Sequence, residues 1–273
     1  MKILLLGCNG QVGWELQRSL QPLGEVIACD FDSSADRRAD FAQPASVAAL
    51  VDRVRPQIIV NSAAHTAVDK AESEVELARA INATTVGAIA ERAAVIGSLL
   101  IHYSTDYVYD GSGSLPREES SPTVPLSVYG RTKLEGEELI RASGCRHVIL
   151  RTSWVYAARG NNFIKTMLRL AAERETLSVI DDQIGAPTGA DLLADVTALM
   201  IARITARDAH LGGTFHCVAA GETSWFDYAR FVIEFARARG AEIRVAPDQV
   251  LSIPTSDYPT DRKSTRLNSS HRT

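Results

Sequence analysis

A tyrosine and a lysine four residues apart, in Tyr129-Gly130-Arg131-Thr132-Lys133, put a phenol and an ammonium on one helical face, about 5–6 Å apart at Cβ. Such a pair suits carbonyl chemistry. A carbonyl that receives a hydride becomes an alkoxide, so an acid must stand within hydrogen-bond reach of its oxygen. Tyr129 can be that acid. A free phenol titrates near pH ~10, and making its anion accessible near neutrality takes about three units, or about 4 kcal/mol. One cation at about 4 Å supplies a similar amount at an effective dielectric of about 20, and Lys133 is that cation. In the reductive direction Tyr129 starts protonated, as its free pKa favours, so Lys133 acts mainly by stabilising the tyrosinate left behind. Upstream, an apolar run ends in Ser104-Thr105-Asp106. Alternation along a strand points only one of the two hydroxyls into a cleft, and Thr105 is the preferred donor to the same substrate oxygen.

These groups need elements to position them. Apolar runs of strand length occur at Lys2–Leu6, Val26–Asp30, Gln57–Asn61, Leu99–Ser104 and His147–Arg151. Between them lie helix-period segments at Gln11–Leu20, Pro44–Val54, Val75–Ile96 (with a break) and Ser127–Ala142. Such alternation predicts an α/β fold with a Rossmann-type doubly wound parallel sheet and right-handed crossovers. Beyond Arg151 the pattern loosens into helices at Phe163–Glu173, Ala190–Ile204 and Ser224–Arg237, with strands at Leu177–Ile180 and Thr214–Cys217. The expected division is a dinucleotide-binding core over 1–151, to which later segments return, and a smaller C-terminal, mainly substrate-binding lobe over 152–261. The segment Asp110–Val124, rich in Gly, Ser, Pro and Glu, is long enough for a mobile loop near a site.

Gly7, Gly10 and Gly13 sit between the first strand and the first helix in the GxxGxxG spacing. Glycines there let backbone amides approach a pyrophosphate at the positive end of a helix. The second strand closes on Asp30, whose carboxylate suits ribose hydroxyls. A nicotinamide dinucleotide is therefore the expected cofactor, with Lys133 also reaching its ribose. Asp30 and Asp32 favour a free 2′-hydroxyl, whereas Arg37 and Arg38 suit a 2′-phosphate, so the pattern fits NADH or NADPH. Asp40 and Phe41 are candidates for the adenine, and the small residues of Asn61-Ser62-Ala63-Ala64-His65-Thr66 for the linking phosphates and nicotinamide ribose. His65 is given no catalytic role. YxxxK alone is common, but a glycine turn, a strand ending in Ser-Thr-Asp and YxxxK in this order are not.

The chain of 273 residues is 45% hydrophobic and 23% charged, ordinary for a globular protein. A formal net charge of −4 offers no basic face, which argues against nucleic acid as a partner. The N-terminal apolar stretch is only a strand long, so neither a signal peptide nor a membrane association is expected, and the compartment expected is the cytoplasm. The four cysteines lack any CxxC or metal-ligand spacing and are expected reduced and mostly buried. Cys8, inside the glycine turn, could be a reactive thiol at a helix N-terminus; a small residue that fits is the favoured reading.

The segments GCNGQVGWELQRSL, NSAAHTAVDKAE, YSTDYVYDG, VYGRTKLEGE, LRTSWVYAARGNNF and DDQIGAPT resemble the extended short-chain dehydrogenase/reductases, and within them the dTDP-4-dehydrorhamnose reductase family, over roughly residues 1–260. The resemblance implies reduction of the 4-keto group of a dTDP-6-deoxy-hexulose with NADPH or NADH, and a dTDP-sugar as substrate. It assigns catalysis to Thr105, Tyr129 and Lys133. Cofactor contacts fall to Gly7, Gly10, Gln11, Val12, Asp30, Asp40, Phe41, Ala63, Ala64, Thr66, Tyr129 and Lys133, beside Gly13 in the turn. Asp106 and Trp154 join Thr105 and Tyr129 on the sugar-nucleotide side. A homodimer, with Mg2+ at a contact between acidic side chains, is also implied; Glu15 and Asp191 fall at matching places, although two carboxylates are fewer oxygens than that ion wants. Thr105-Asp106 is followed by Tyr107 rather than a second carboxylate, which disfavours a dehydratase. At 262–273 the family's proline-rich turn and final helix give way to a polar, basic run, expected to be non-native or disordered.

Overall fold

The apolar runs become strands because helices cover both of their faces, which removes the need for alternation. A computed structural model describes residues 1–113, 115–206 and 211–257; the expected tail at 262–273 lies outside them. The strands are β1 (Lys2–Leu6), β2 (Glu25–Cys29), β3 (Ile58–Asn61), β4 (Leu99–Thr105), β5 (Arg146–Thr152), β6 (Val155–Tyr156), β7 (Leu177–Ile180), β8 (Ile184–Gly185), β9 (Thr188–Gly189), β10 (Gly213–His216), β11 (Thr223–Ser224) and β12 (Val250–Ile253). The helices are α1 (Gln11–Ser19), α2 (Pro44–Val54), α3 (Val68–Ala71), α4 (Val75–Arg79), α5 (Thr85–Ile96), α6 (Val128–Ala142), α7 (Phe163–Glu173), α8 (Ala190–Ala206) and α9 (Trp225–Ala238).

Six strands form one parallel sheet in the order β10-β5-β4-β3-β1-β2. The expected Rossmann-type, doubly wound sheet is thus present. Successive residues of β1 face opposite cores. Leu4 and Leu6 pack with Val47 and Leu50 of α2 and Ile89 of α5. Ile3 and Leu5 pack with Leu16 of α1 and Leu193 and Ile201 of α8. Chain order reverses across β1, which has β2 on one side and β3 on the other, and ligands of such sheets bind at the strand ends beside that reversal.

Two elements from the later part of the chain pack onto the sheet. β10 pairs with β5 through Gly213↔Val148 to His216↔Arg151, and α8 is tied to α1 where Asp195 accepts hydrogen bonds from Arg18 and Ser19. Meanwhile α7, α9, β7 and β12 enclose a separate apolar cluster around Ala171, Val179, Ile233 and Val245. The two-residue pairs β6–β9 and β8–β11 carry too little period to be read from sequence, whereas β7, expected at Leu177–Ile180, is present and pairs with β12.

The break in Val75–Ile96 is a π-helical segment, Ala80–Thr84, between α4 and α5. Within it Asn82 accepts from the His65 amide at 2.9 Å and donates to the Thr132 hydroxyl at 3.2 Å, so the wide turn joins the end of β3 to α6. The helix α6 begins where Ser127 caps it by accepting from the Gly130 amide at 3.0 Å. Among the described residues no helix is long and apolar enough to cross a membrane.

Gly13 is the tightest contact between α1 and the turn before it: a Cβ there would lie 1.9 Å from the Gly7 carbonyl oxygen. Gly13→Ala is expected to cost about 1–3 kcal/mol, read from urea unfolding, and to weaken dinucleotide binding because α1 must back away from the turn.

Candidate active site

A cleft of about 710 Å³ opens at the carboxyl ends of β1, β3 and β4. Gly7, Gly10, Gln11, Val12, Asp30, Asp40, Phe41, Ala63, Ala64, Thr66, Tyr129 and Lys133 all line it. Gly13 does not; it sits beneath the turn as a packing residue. From the second half of the chain come Thr152, Val155, Gly160 and Asn161. The segment around Gly160 is held over α1, where Asn162 donates to the Gln11 side chain at 2.9 Å and Arg159 lies 3.9 Å above the Trp14 ring.

The acidic and basic side chains of the rim are turned on one another. Asp30 accepts from the amides of Asn9 and Phe31 at 2.9 and 2.8 Å, and Asp32 accepts from the Asn9 side chain. Asp40 takes the Ala42 amide at 3.0 Å and lies 3.9 Å from Arg38, while Arg37 lies 4.0 Å from Asp36. Cys8, under this turn, is no activated thiolate: burial, then Asp30 and Asp32, push its pKa up.

At the end of β4, Thr105 and Asp106 are buried, and the Thr105 hydroxyl donates to Asp106 at 3.1 Å. Burial pushes the Tyr129 phenol up to about 12; the neighbouring Thr105 hydroxyl favours its anion, and Asp106 opposes it. Ser104 is committed elsewhere, donating to Glu137 at 2.6 Å. Lys133 departs from the expected picture. Its Nζ donates to the Tyr103 carbonyl at 2.7 Å and meets His102 Nε2 at 3.1 Å. Burial pushes it down to about 8, against the Glu137 carboxylate. The anticipated lowering of the Tyr129 pKa toward neutrality is therefore corrected: loss of water from the phenolate outweighs the help it receives. Tyr129 stays a protonated acid throughout the neutral range.

Glu137, unread in the sequence, organises the back of the site. Lys133 follows Tyr129 by four residues and Glu137 follows Lys133 by four, so all three share a face of α6. Its carboxylate receives two bonds from the Arg151 guanidinium, at 2.9 and 2.7 Å, and one each from Ser104 and Arg141. Burial works to raise its pKa, but these donors hold it below the usual carboxylate range. Arg151 also donates to the Tyr109 hydroxyl at 2.7 Å, and that hydroxyl contacts His216 Nε2 at 2.7 Å. The segment Asp110–Val124, long enough for a mobile loop, is tied to this network: Tyr109 donates to the Glu118 carbonyl, Glu119 accepts from the His216 amide at 2.9 Å, and Arg117 pairs with Asp110.

Thr105, Asp106 and Trp154 are not among the residues lining this cleft; Trp154 has φ +48° and stacks on Trp225 at 3.5 Å, beside Phe163 and Tyr228. Magnesium at Glu15 and Asp191 finds no support, since Glu15 lies 3.9 Å from Arg18 and no group of three or more His, Cys, Asp or Glu able to hold a metal occurs among the described residues. An ion that wants six oxygens is poorly served by two separate carboxylates.

A glycine turn at the switch point of a parallel sheet, facing a Thr–Tyr–Lys constellation, defines a Rossmann-type oxidoreductase of the extended short-chain dehydrogenase/reductase kind. A family model described as the RmlD substrate binding domain matches residues 1–270. The dTDP-4-dehydrorhamnose reductase of Escherichia coli strain K12 is 55% identical over 271 residues, 98% of this chain and 89% of that protein. Its counterpart in Salmonella typhimurium is 56% identical, over 95% of this chain and 86% of that one. A solved dTDP-4-dehydrorhamnose reductase from Bacillus anthracis in complex with NADP superposes with a TM-score of 0.85 at 33% identity, covering 99% of this chain and 90% of that one. The chain belongs to the RmlD substrate binding domain family.

Because α6 is held by the Glu137–Arg151 pair, Glu137→Ala is expected to leave a guanidinium buried without its partner and to cost about 3–5 kcal/mol in denaturant unfolding.

Proposed function

We propose that this chain is an NAD(P)H-dependent dTDP-4-dehydrorhamnose reductase, converting dTDP-4-dehydro-L-rhamnose to dTDP-L-rhamnose. The observation that carries it is the meeting, in one cleft, of the dinucleotide turn with Tyr129 and Lys133, in a chain this similar to reductases of that name. When bound, NADPH or NADH supplies a hydride to the 4-keto carbon. Tyr129, held protonated by burial, delivers the proton to the nascent alkoxide oxygen. Thr105, its one hydroxyl proton turned from Asp106 to the substrate, donates to the same oxygen and keeps it beside the phenol. Lys133 balances the tyrosinate and seats the ribose hydroxyls. Asp106 and Trp154 are assigned to the sugar-nucleotide side, with residues 152–261 mainly forming the substrate-binding lobe on a cofactor core over 1–151. No step requires a metal. A homodimer and a cytoplasmic setting complete this reading.

The test is to supply the purified chain with the 4-keto sugar nucleotide and follow the near-ultraviolet absorbance of NADPH and of NADH separately; no oxidation of either would overturn the assignment. Tyr129→Phe is expected to slow turnover by about 10²–10⁴-fold while the affinity for NADPH, read from quenching of intrinsic fluorescence, is retained. A rate that survives this change rules out the proposed acid.

A further inference from the structure

Beneath the cleft runs a line of hydrogen bonds whose donors can be assigned one after another. The Ala63 amide, which has only a proton to offer, donates to Asn61 Oδ1 at 3.1 Å. That fixes the carboxamide, so Asn61 Nδ2 faces His102 Nδ1, 3.1 Å away, as a donor. Nδ1 must accept, which leaves the proton of the neutral ring on Nε2. Nε2 faces Lys133 Nζ at 3.1 Å, and Nζ donates onward to the Tyr103 carbonyl at 2.7 Å. An ammonium has no lone pair with which to accept from Nε2–H, whereas a neutral amine does. Turning the amide over would set its NH2 against the Ala63 amide, and moving the ring proton to Nδ1 would set it against Asn61 Nδ2. Either places two donors face to face where water is excluded: Asn61, His102 and Lys133 are 1%, 0% and 1% exposed.

We infer that His102, oriented by Asn61, is a positioning residue that parks Lys133 against β4 only as a neutral amine, so that seating a dinucleotide at Lys133 takes up a proton. The inference rests on the cofactor role given to Lys133 above. Once protonated, Lys133 loses His102 as a partner and keeps only the Tyr103 carbonyl, which frees it to turn into the cleft it lines. Burial is consistent with this: it pushes Lys133 down to about 8, and it pushes His102 well below its usual value with the Lys133 charge adding to the effect.

The other charged and titratable groups around Lys133 are committed. On α6, Glu137 is bound by Arg151 of β5 and by Arg141, while Tyr129 is a neutral phenol. On β4, Tyr103 shares a hydrogen bond with Thr197, and Asp106 accepts from Thr105. From the elements packed on α6, Arg79 pairs with Glu135 and His65 with Glu74.

The test is calorimetric titration of the full chain with NADPH in two buffers of different ionisation enthalpy. Uptake of about one proton is expected near pH 9 and almost none near pH 6, with the affinity weakening roughly tenfold per pH unit above about 8. Asn61→Asp keeps the acceptor for the Ala63 amide but turns an acceptor toward Nδ1. The ring proton then moves to Nδ1 and Nε2 can accept from an ammonium. Uptake near pH 9 should fall by at least about half, and the weakening should begin about one unit higher. His102→Gln, which can offer an oxygen to the ammonium, should act in the same direction. Wild-type binding without proton uptake near pH 9, or uptake unchanged in a variant that folds by circular dichroism, would overturn the inference; a lower melting temperature with unchanged uptake counts as the latter. If neither variant folds, the wild-type uptake decides. Absence of NADPH binding at every pH would instead remove the reductase reading, and this inference with it.

Discussion

The carboxylate of Glu137 lies at zero exposure against the guanidinium of Arg151, and the placement of the reactive face of α6 depends on that contact. A buried pair of this kind seldom gains much net stability, because desolvating both ions consumes most of the attraction. Its value here is directional. Four donors converge on one carboxylate from β4, β5 and α6 itself, which fixes the helix in rotation and along its axis. With that fixed, the helix face that carries Glu137 must also carry Lys133 and Tyr129, one and two turns earlier. On the far side of Arg151, Tyr109 and His216 extend the network to the loop after β4 and to β10. A single ion pair thus coordinates the helix, three strands of the sheet and the edge of the cleft.

The same dryness sets the protonation of the reactive groups. Removing water disfavours the charged form of each, so the phenol is pushed up and the amine down. For the roles proposed for Tyr129 and Lys133 this is a suitable bias, since an acid must be loaded before hydride arrives. The sheet supports this by ending β4 in Thr105 and Asp106, and the π-helical turn at Asn82 supports it by binding the segment after β3 to Thr132 on α6.

Much of this was legible in the residues. Strands within a doubly wound sheet are buried on both sides, so runs such as Ile3–Leu6 announce themselves, and Phe163–Glu173 shows a clean helical period. The glycine turn, Tyr129 and Lys133 could be placed because their types and spacing carry the signal, and all of them line the cleft. The departures were tertiary. Where the Lys133 ammonium points is decided by His102 and Tyr103, which arrive from a strand about thirty residues earlier. Trp154 reads the same whether it faces a ligand or Trp225. Glu137 was accessible in principle, since its spacing from Lys133 repeats that of Lys133 from Tyr129, but a glutamate in a helix is ordinarily a solvated one. Two-residue strands such as β8 and β11 have no period to detect.

The place of β10 beside β5 has a consequence for biogenesis. Its strand comes from the far side of the lobe built on α7, so the sheet has an open edge at β5 until His216 has been synthesised. The six-stranded sheet cannot finish assembling as the first half of the chain emerges, and α8, which packs on one of its faces, arrives equally late. Long-range pairing of this sort is slow to form and leaves a strand edge exposed meanwhile. A nascent chain that ends before β10 carries an unpaired edge at β5.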